Sequence, residues 1–159
     1  MHKTAIYPGT FDPITLGHVD VIERSAEMFD KIIVVMAINS KKQTLFSEDE
    51  RYEMAVDSLK HLENVTVELY HGLTVEFAKE RSAVAIIRGI RAISDFEYEF
   101  QIALMNRKLA PDIHTLFLLP NEKYTYLNSS IIRELARYKQ DISAFVPEIV
   151  SRKIAELNC

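Results

Sequence analysis

Cysteine is almost absent: the single copy, Cys159, is the last of 159 residues. No intramolecular disulfide can form, which permits a reducing, cytoplasmic setting. Long apolar runs are missing too. The longest, residues 32–38, falls well short of the roughly 20 residues that span a bilayer. Residues 1–7, followed by Pro8 and Gly9, form too short an apolar run for a signal peptide. Positive charge is not in excess, since the net charge is −4. That argues against a nucleic-acid partner held on a broad basic face, but leaves room for phosphates bound by a few cations and backbone amides. There is no repeat, low-complexity tract, linker or clustered carboxylate metal motif. The expectation is a soluble, untargeted chain with neither a nucleic-acid nor a membrane partner.

What is present is an ordinary globular composition, 48% hydrophobic and 26% charged. A chain of this length fits one domain, residues 1–159, that buries roughly 70% of its unfolded surface. Apolar, mostly β-branched stretches at 4–7, 32–38, 65–70, 84–87 and 114–119 suit strands buried on both faces. Helical patterns lie between them. Val19, Ile22, Ala26 and Phe29 share a face after Gly17-His18, and a capping box at Ser47-Glu48-Asp49-Glu50 opens a helix to about Lys60. Residues 74–80 read as a third helix. A second box at Ser94-Asp95-Phe96-Glu97 predicts a helix to about Leu109. Ser129 and Ser130 open another to about Tyr138, and Pro147, suited to a first turn, opens the last. Strand–helix alternation implies an α/β fold: a doubly wound, five-stranded parallel sheet with helices on both faces.

Ligands in such sheets bind beyond the carboxyl ends of the strands. With strand one expected to end at Tyr7, the 8–18 loop lies at that edge. Gly9 and Gly17 allow close backbone approach, Thr10 offers a hydroxyl, and Gly17-His18 opens a helix whose amides favour phosphate. His18 can add a ring N–H. The plainer reading is a strand–turn–helix connection with a packed histidine. The segment 124–133 follows the last strand on the same edge; read alone, it is an N-cap. Asp12 and Asp95 read as turn and cap residues, and His2, His61, His71 and His114 receive no role. The helix from Asp95 carries Phe96, Tyr98, Phe100, Ile102, Leu104 and Met105 on several sides, which suits a central or interface helix.

The run Tyr7-Pro8-Gly9-Thr10-Phe11-Asp12-Pro13-Ile14-Thr15-Leu16-Gly17-His18 resembles the T/H-x-G-H signature of the nucleotidylyltransferase superfamily, and Asn128-Ser129-Ser130-Ile131-Ile132-Arg133 resembles its S-S-x-x-R signature. Ser40-Lys41-Lys42, Ile87-Arg88-Gly89-Ile90-Arg91, Asp95-Phe96-Glu97-Tyr98-Glu99 and Asn106-Arg107 narrow the resemblance to the bacterial phosphopantetheine adenylyltransferase family. It implies a Rossmann-like fold and transfer of AMP from ATP to 4′-phosphopantetheine in coenzyme A biosynthesis. Thr10, Lys42, Arg88, Arg91 and His18 would serve catalysis. Thr10, Lys42, Thr74 and Arg88 would hold phosphopantetheine. Thr10, Phe11, His18, Gly89, Ile90, Arg91 and Glu99 would contact ATP, with the loop Tyr124, Thr125, Tyr126, Leu127, Asn128, Ser129 and Ser130 closing on it. Thr74, Tyr124 and Asn128 depart from the commoner family residues. Mg²⁺ would come held by ATP phosphates and water, with no metal site on the chain. Coenzyme A feedback and a homohexamer built as a dimer of trimers are further expectations. The competing readings are a glycerol-phosphate cytidylyl- or nicotinamide-mononucleotide adenylyl-transferase, and a non-catalytic nucleotide sensor.

Overall fold

The structure, a computed structural model, describes residues 1–158; Cys159 lies outside the described residues. Its sheet consists of β1 (Thr4–Gly9), β2 (Lys31–Ala37), β3 (Val65–Tyr70), β4 (Ala85–Gly89) and β5 (His114–Leu118). All pairings are parallel and the order is β3-β2-β1-β4-β5. The helices are α1 (Leu16–Met28), α2 (Glu48–Leu59), α3 (Thr74–Glu80), α4 (Ile93–Leu109), α5 (Ser129–Arg137) and α6 (Glu148–Leu157). This is the doubly wound α/β sheet that the alternation implies. Among the described residues no helix is long and apolar enough to cross a membrane.

Burial explains why the central strands read as unbroken apolar runs. Ile32, Val34 and Met36 of β2 face a core shared with Ile22 of α1, Met54 of α2, Ile132 of α5 and Val150 of α6. The alternate residues Ile33 and Val35, with Ile6 and Ile86, face a second core closed by Val75, Phe77 and Ala78 of α3. A strand with both faces covered has no polar position to alternate with.

Several boundaries differ from the sequence expectation, and each difference has a cause. β1 runs on through Pro8 and Gly9, pairing Pro8 with Val35 and Gly9 with Met36. Its register with β4 covers only Ala5 and Ile6. Pro8 has no N–H for a ladder, and it is tolerated where β1 has already parted from β4. That parting, at the point where strand order reverses, opens the crevice. β4 extends to Gly89, so Arg88 stands on the strand itself rather than after it. The second capping box does not form. α4 begins at Ile93 behind Ala92, with no side-chain cap, and Asp95 instead pairs with Arg91 at 3.4 Å. Pro147 is the N-cap of α6, one residue ahead of its expected place. The first box is as expected: Ser47 and Glu50 cap each other.

Phe77 is fully buried, with its ring 4.9 Å from Tyr70 and under the Arg81 guanidinium. Phe77→Ala should lower stability by about 3–5 kcal/mol, seen as a lower urea midpoint with an unchanged slope.

Candidate active site

The cleft beyond β1 and β4 has a volume of about 300 Å³. Tyr7, Gly9, Thr10, Phe11 and His18 line it from β1 to the start of α1, and Arg88, Gly89 and Arg91 from the end of β4. Tyr124, Leu127, Asn128, Ser129 and Ser130 form the rim. A second hollow of about 440 Å³ adjoins β2 and is bordered by Asn39, Ser40, Lys42, His71 and Gly72. Thr10 borders both. Lys42 therefore does not share a cavity with His18; Thr10 is the link between them. Thr74, Ile90, Glu99, Thr125 and Tyr126 border neither hollow. Ile90 is buried, its N–H donating to the Leu118 carbonyl. His71, given no role from sequence, faces the Lys42 hollow, whereas His61 pairs with Glu23 on the surface.

The start of α1 sets the chemistry of His18. Thr15 is the N-cap and His18 the third helical residue. The Thr15 N–H donates to His18 Nδ1 at 3.0 Å, and the Thr15 hydroxyl lies 3.1 Å from the same atom. Nδ1 is thereby occupied as an acceptor, so the neutral ring carries its proton on Nε2. Burial, then the nearby positive charge of Arg91, lowers the His18 pKa to about 4. The ring also meets Phe11 edge-on at 5.1 Å. Sequence suggested a ring N–H aimed at phosphate; the capping box decides which nitrogen can supply it.

The remaining groups are held by partners from distant elements. Arg88 forms a two-point pair with Glu99 of α4 at 2.6 and 2.7 Å. Burial works against its charge, and the Glu99 pair more than restores it, so the pKa is raised. Glu99 is thus neither solvent-facing nor a free ligand. Arg91 donates to the Leu127 carbonyl at 3.0 Å, tying the rim loop to the end of β4. Beneath them, burial pushes the Tyr7 hydroxyl up to about 12 against the pull of Arg88 and Arg91. Tyr7 therefore remains a neutral hydroxyl at neutral pH. Asn128 caps α5 by accepting from the Ile131 N–H at 2.8 Å, a role its short amide fills as well as serine would.

Sequence reading missed how the 10–15 loop is secured. Asp12, expected as a turn residue, is buried, and its carboxylate accepts the Leu45 and Phe46 N–H groups at 2.8 and 3.0 Å. Arg133 donates to the Asp12 carbonyl at 2.7 Å, and the Ser129 hydroxyl to the Pro13 carbonyl at 2.8 Å. Arg133 belongs to the quoted second signature, but nothing in its spacing names a backbone carbonyl 121 residues away as its partner. Gly9 is needed locally, since a Cβ there would meet the Phe11 ring at 2.8 Å. At Gly17 a Cβ would find only ordinary contacts, the nearest at 3.5 Å, so the protein's own packing does not require glycine there.

A parallel 3-2-1-4-5 sheet with a helix N-terminus, a neutral histidine donor and two arginines around one cleft defines a nucleotide-transfer class of protein. Comparison agrees: the Cytidylyltransferase-like family profile matches residues 6–135. A solved Vibrio parahaemolyticus structure, assigned as a nicotinate-nucleotide adenylyltransferase, shares the fold with a TM-score of 0.75 over 98% of this chain and 99% of that one, at 23% identity. Phosphopantetheine adenylyltransferases are far more similar in sequence. The one from Methylacidiphilum infernorum is 53% identical over 156 residues, covering 97% of this chain and 90% of that protein. Those from Desulfosudis oleivorans and Caldanaerobacter subterraneus are 52% and 49% identical over 154 residues, covering 97% of this chain and 92% and 96% of theirs. The chain belongs to the phosphopantetheine adenylyltransferase family.

The His18 environment makes a testable statement about pH. A folded pKa near 4 against an ordinary 6.5 means the neutral ring stabilises the fold. That contribution is complete above 6.5 and is lost as pH falls from there through 4. An NMR titration of the imidazole should show a neutral Nε2–H ring from pH 8 down to 6, protonating only below that; a midpoint near 6.5 would contradict the assigned environment.

Proposed function

We propose that the chain transfers an adenylyl group from ATP to 4′-phosphopantetheine, giving dephospho-coenzyme A and pyrophosphate. The observation that carries this reading is the meeting of two hollows at Thr10, one presenting His18 Nε2–H and the α1 amides, the other Lys42. ATP occupies the first, with its phosphates over His18 and Arg91 and its adenine towards the rim of Tyr124, Leu127 and Asn128, the 124–130 loop including Thr125, Tyr126, Ser129 and Ser130. The backbone of Gly89 and Ile90, with Phe11, completes that side. Phosphopantetheine occupies the second, its phosphate at Thr10 between Lys42 and Arg88 and its arm running towards Thr74. The Arg88–Glu99 pair orients the guanidinium, so Glu99 serves ATP through Arg88.

The chemistry follows from charge. An oxygen of the pantetheine phosphate, already anionic, attacks the α-phosphorus of ATP in line. The bond from that phosphorus to the bridging oxygen breaks, and pyrophosphate leaves with the electron pair. No proton has to be abstracted, so the chain needs donors and cations in place rather than a base. A histidine that stays neutral suits this, because it donates to the transferring phosphoryl group without titrating. The cleft lining offers hydroxyls, amides and cations but no carboxylate, and the nearby Glu99 and Asp95 are paired with Arg88 and Arg91. That donor set fits Mg²⁺ carried by ATP phosphates and water, where it would offset the triphosphate charge. Coenzyme A, sharing both halves of the product, would fill both hollows as a feedback ligand. The lack of any possible internal disulfide is compatible with work in the cytoplasm.

A homohexamer, arranged as a dimer of trimers, is part of the same reading. α4 has no buried residue, and Ile93, Phe100, Leu104 and Met105 are exposed along it. Together with Leu116 of the edge strand β5, these leave an apolar surface that association would cover. Light scattering should report a hexamer, and Leu104→Glu a smaller species.

ATP with 4′-phosphopantetheine should release pyrophosphate, while CTP with glycerol phosphate and ATP with nicotinamide mononucleotide should not; turnover only with one of the latter pairs would sink the reading. His18→Ala should cut turnover by roughly 10² or more with a modest change in ATP affinity. A rate equal to wild type would reject His18 as a transition-state donor and favour the sensor alternative.

A further inference from the structure

Arg51 lies on α2 yet is only 4% exposed, alone among the arginines in the buried class of described residues. Its Nη1 donates to the Thr10 carbonyl at 2.9 Å. Its buried Nε has no acceptor, and no carboxylate lies within 4.0 Å of its guanidinium among the described residues. An unpaired buried cation is costly, and an apolar side chain of similar length would fill the space without that cost. What the guanidinium does here is reach across 41 residues of sequence to one peptide group.

That peptide group matters for the site. Thr10 borders both hollows, so it stands where the two phosphates of the proposed reaction would meet. The chain around it is constrained on both sides. The Phe11 ring leaves no room for a Cβ at Gly9, and Phe11 itself takes a left-handed φ of 51°, uncommon for a bulky residue. Beyond Phe11, Arg133 and Ser129 hold the carbonyls of Asp12 and Pro13. Arg51 holds the carbonyl of Thr10, fixing the plane of the peptide that joins Thr10 to Phe11.

We propose that Arg51 is a positioning residue for the adenylyl transfer, acting through Thr10: its guanidinium clamps the Thr10 carbonyl so that the Thr10 hydroxyl stays at the junction of the two phosphate sites. The inference rests on the adenylyl-transfer reading. It separates Arg51 from Lys42, Arg88 and Arg91, which face the hollows and would touch phosphate directly. It also makes geometry, not charge alone, the quantity at stake, since lysine keeps the charge but cannot reproduce a planar fork.

The test is a double-mutant cycle in the steady-state reaction of full-length protein with ATP and 4′-phosphopantetheine. Arg51→Met should lower kcat by about tenfold or more, with the KM for ATP changed less than about threefold, as misplacement of a contact made mainly in the transition state requires. Arg51→Lys should recover only part of that loss. In a Thr10→Ala background the same Arg51 substitutions should cost no more than about twofold, because the group being positioned is gone. A purely structural role would lower the urea midpoint and cost the same factor in either background. Equal factors, or an Arg51→Met kcat equal to wild type, would overturn the inference. If Arg51→Met does not fold, Arg51→Lys is judged by the same two factors. Failure of the wild-type chain to turn over these substrates would overturn the adenylyl-transfer reading and this inference with it. Wild-type turnover with equal factors would overturn the inference alone.

Discussion

The turn that follows β1 has to hold its shape with little help from its own backbone. Between the last pairing of β1 and the first turn of α1, the carbonyls of Thr10, Asp12 and Pro13 point away from any ladder. Each is taken by a side-chain donor from elsewhere: Arg51 from α2, and Arg133 and Ser129 from α5. The Asp12 carboxylate completes the anchorage by accepting two amides of the loop before α2. Buried polar groups must find partners, and here the partners are spread over the chain, so the shape of the turn rests on contacts from α2 and α5. The positions of Thr10 and His18 depend on those contacts.

Charge in the cleft is arranged with similar economy. Three potential cations line the cleft, yet the structure does not leave them as three free positive charges. Arg88 is paired with Glu99, Arg91 with Asp95 and a carbonyl, and His18 is kept neutral by burial and by Arg91. Held this way, the guanidinium groups are fixed in place, and the proposed transfer would need no reordering of them as charge shifts. The neutral histidine follows from the same arrangement, since a second positive charge beside Arg91 is disfavoured in a buried setting.

Much of the fold was legible because burial writes a simple pattern. The central strands are covered on both faces, so their apolar runs identified them, and Ser47 with Glu50 located the start of α2 to the residue. Where the sequence misled, a tertiary partner outweighed a local signal. Ser94 and Glu97 have the spacing of a capping box, but Arg91 draws Asp95 and α4 begins earlier. Pro8 suggested the end of a strand, but β2 continued to pair with it after β4 had separated. The multi-sided apolar pattern of α4 left open whether it was central or at an interface; the structure places it at the edge, uncovered.

The sequence by itself determined the alternation of strands and helices, the sheet edge on which the two signature segments meet, and the signatures that mark the family. These are local or periodic properties, set by side-chain size, β-branching and helix-start chemistry. Only the tertiary structure decided which nitrogen of His18 is free, that Glu99 serves Arg88, that Lys42 stands in a separate hollow, and that Arg51 and Arg133 hold the Thr10–Asp12 turn. Each of those depends on groups meeting across tens of residues, and sequence separation carries no record of which donor will find which carbonyl. The turn from Thr10 to His18 is therefore named by its own residues but shaped by others.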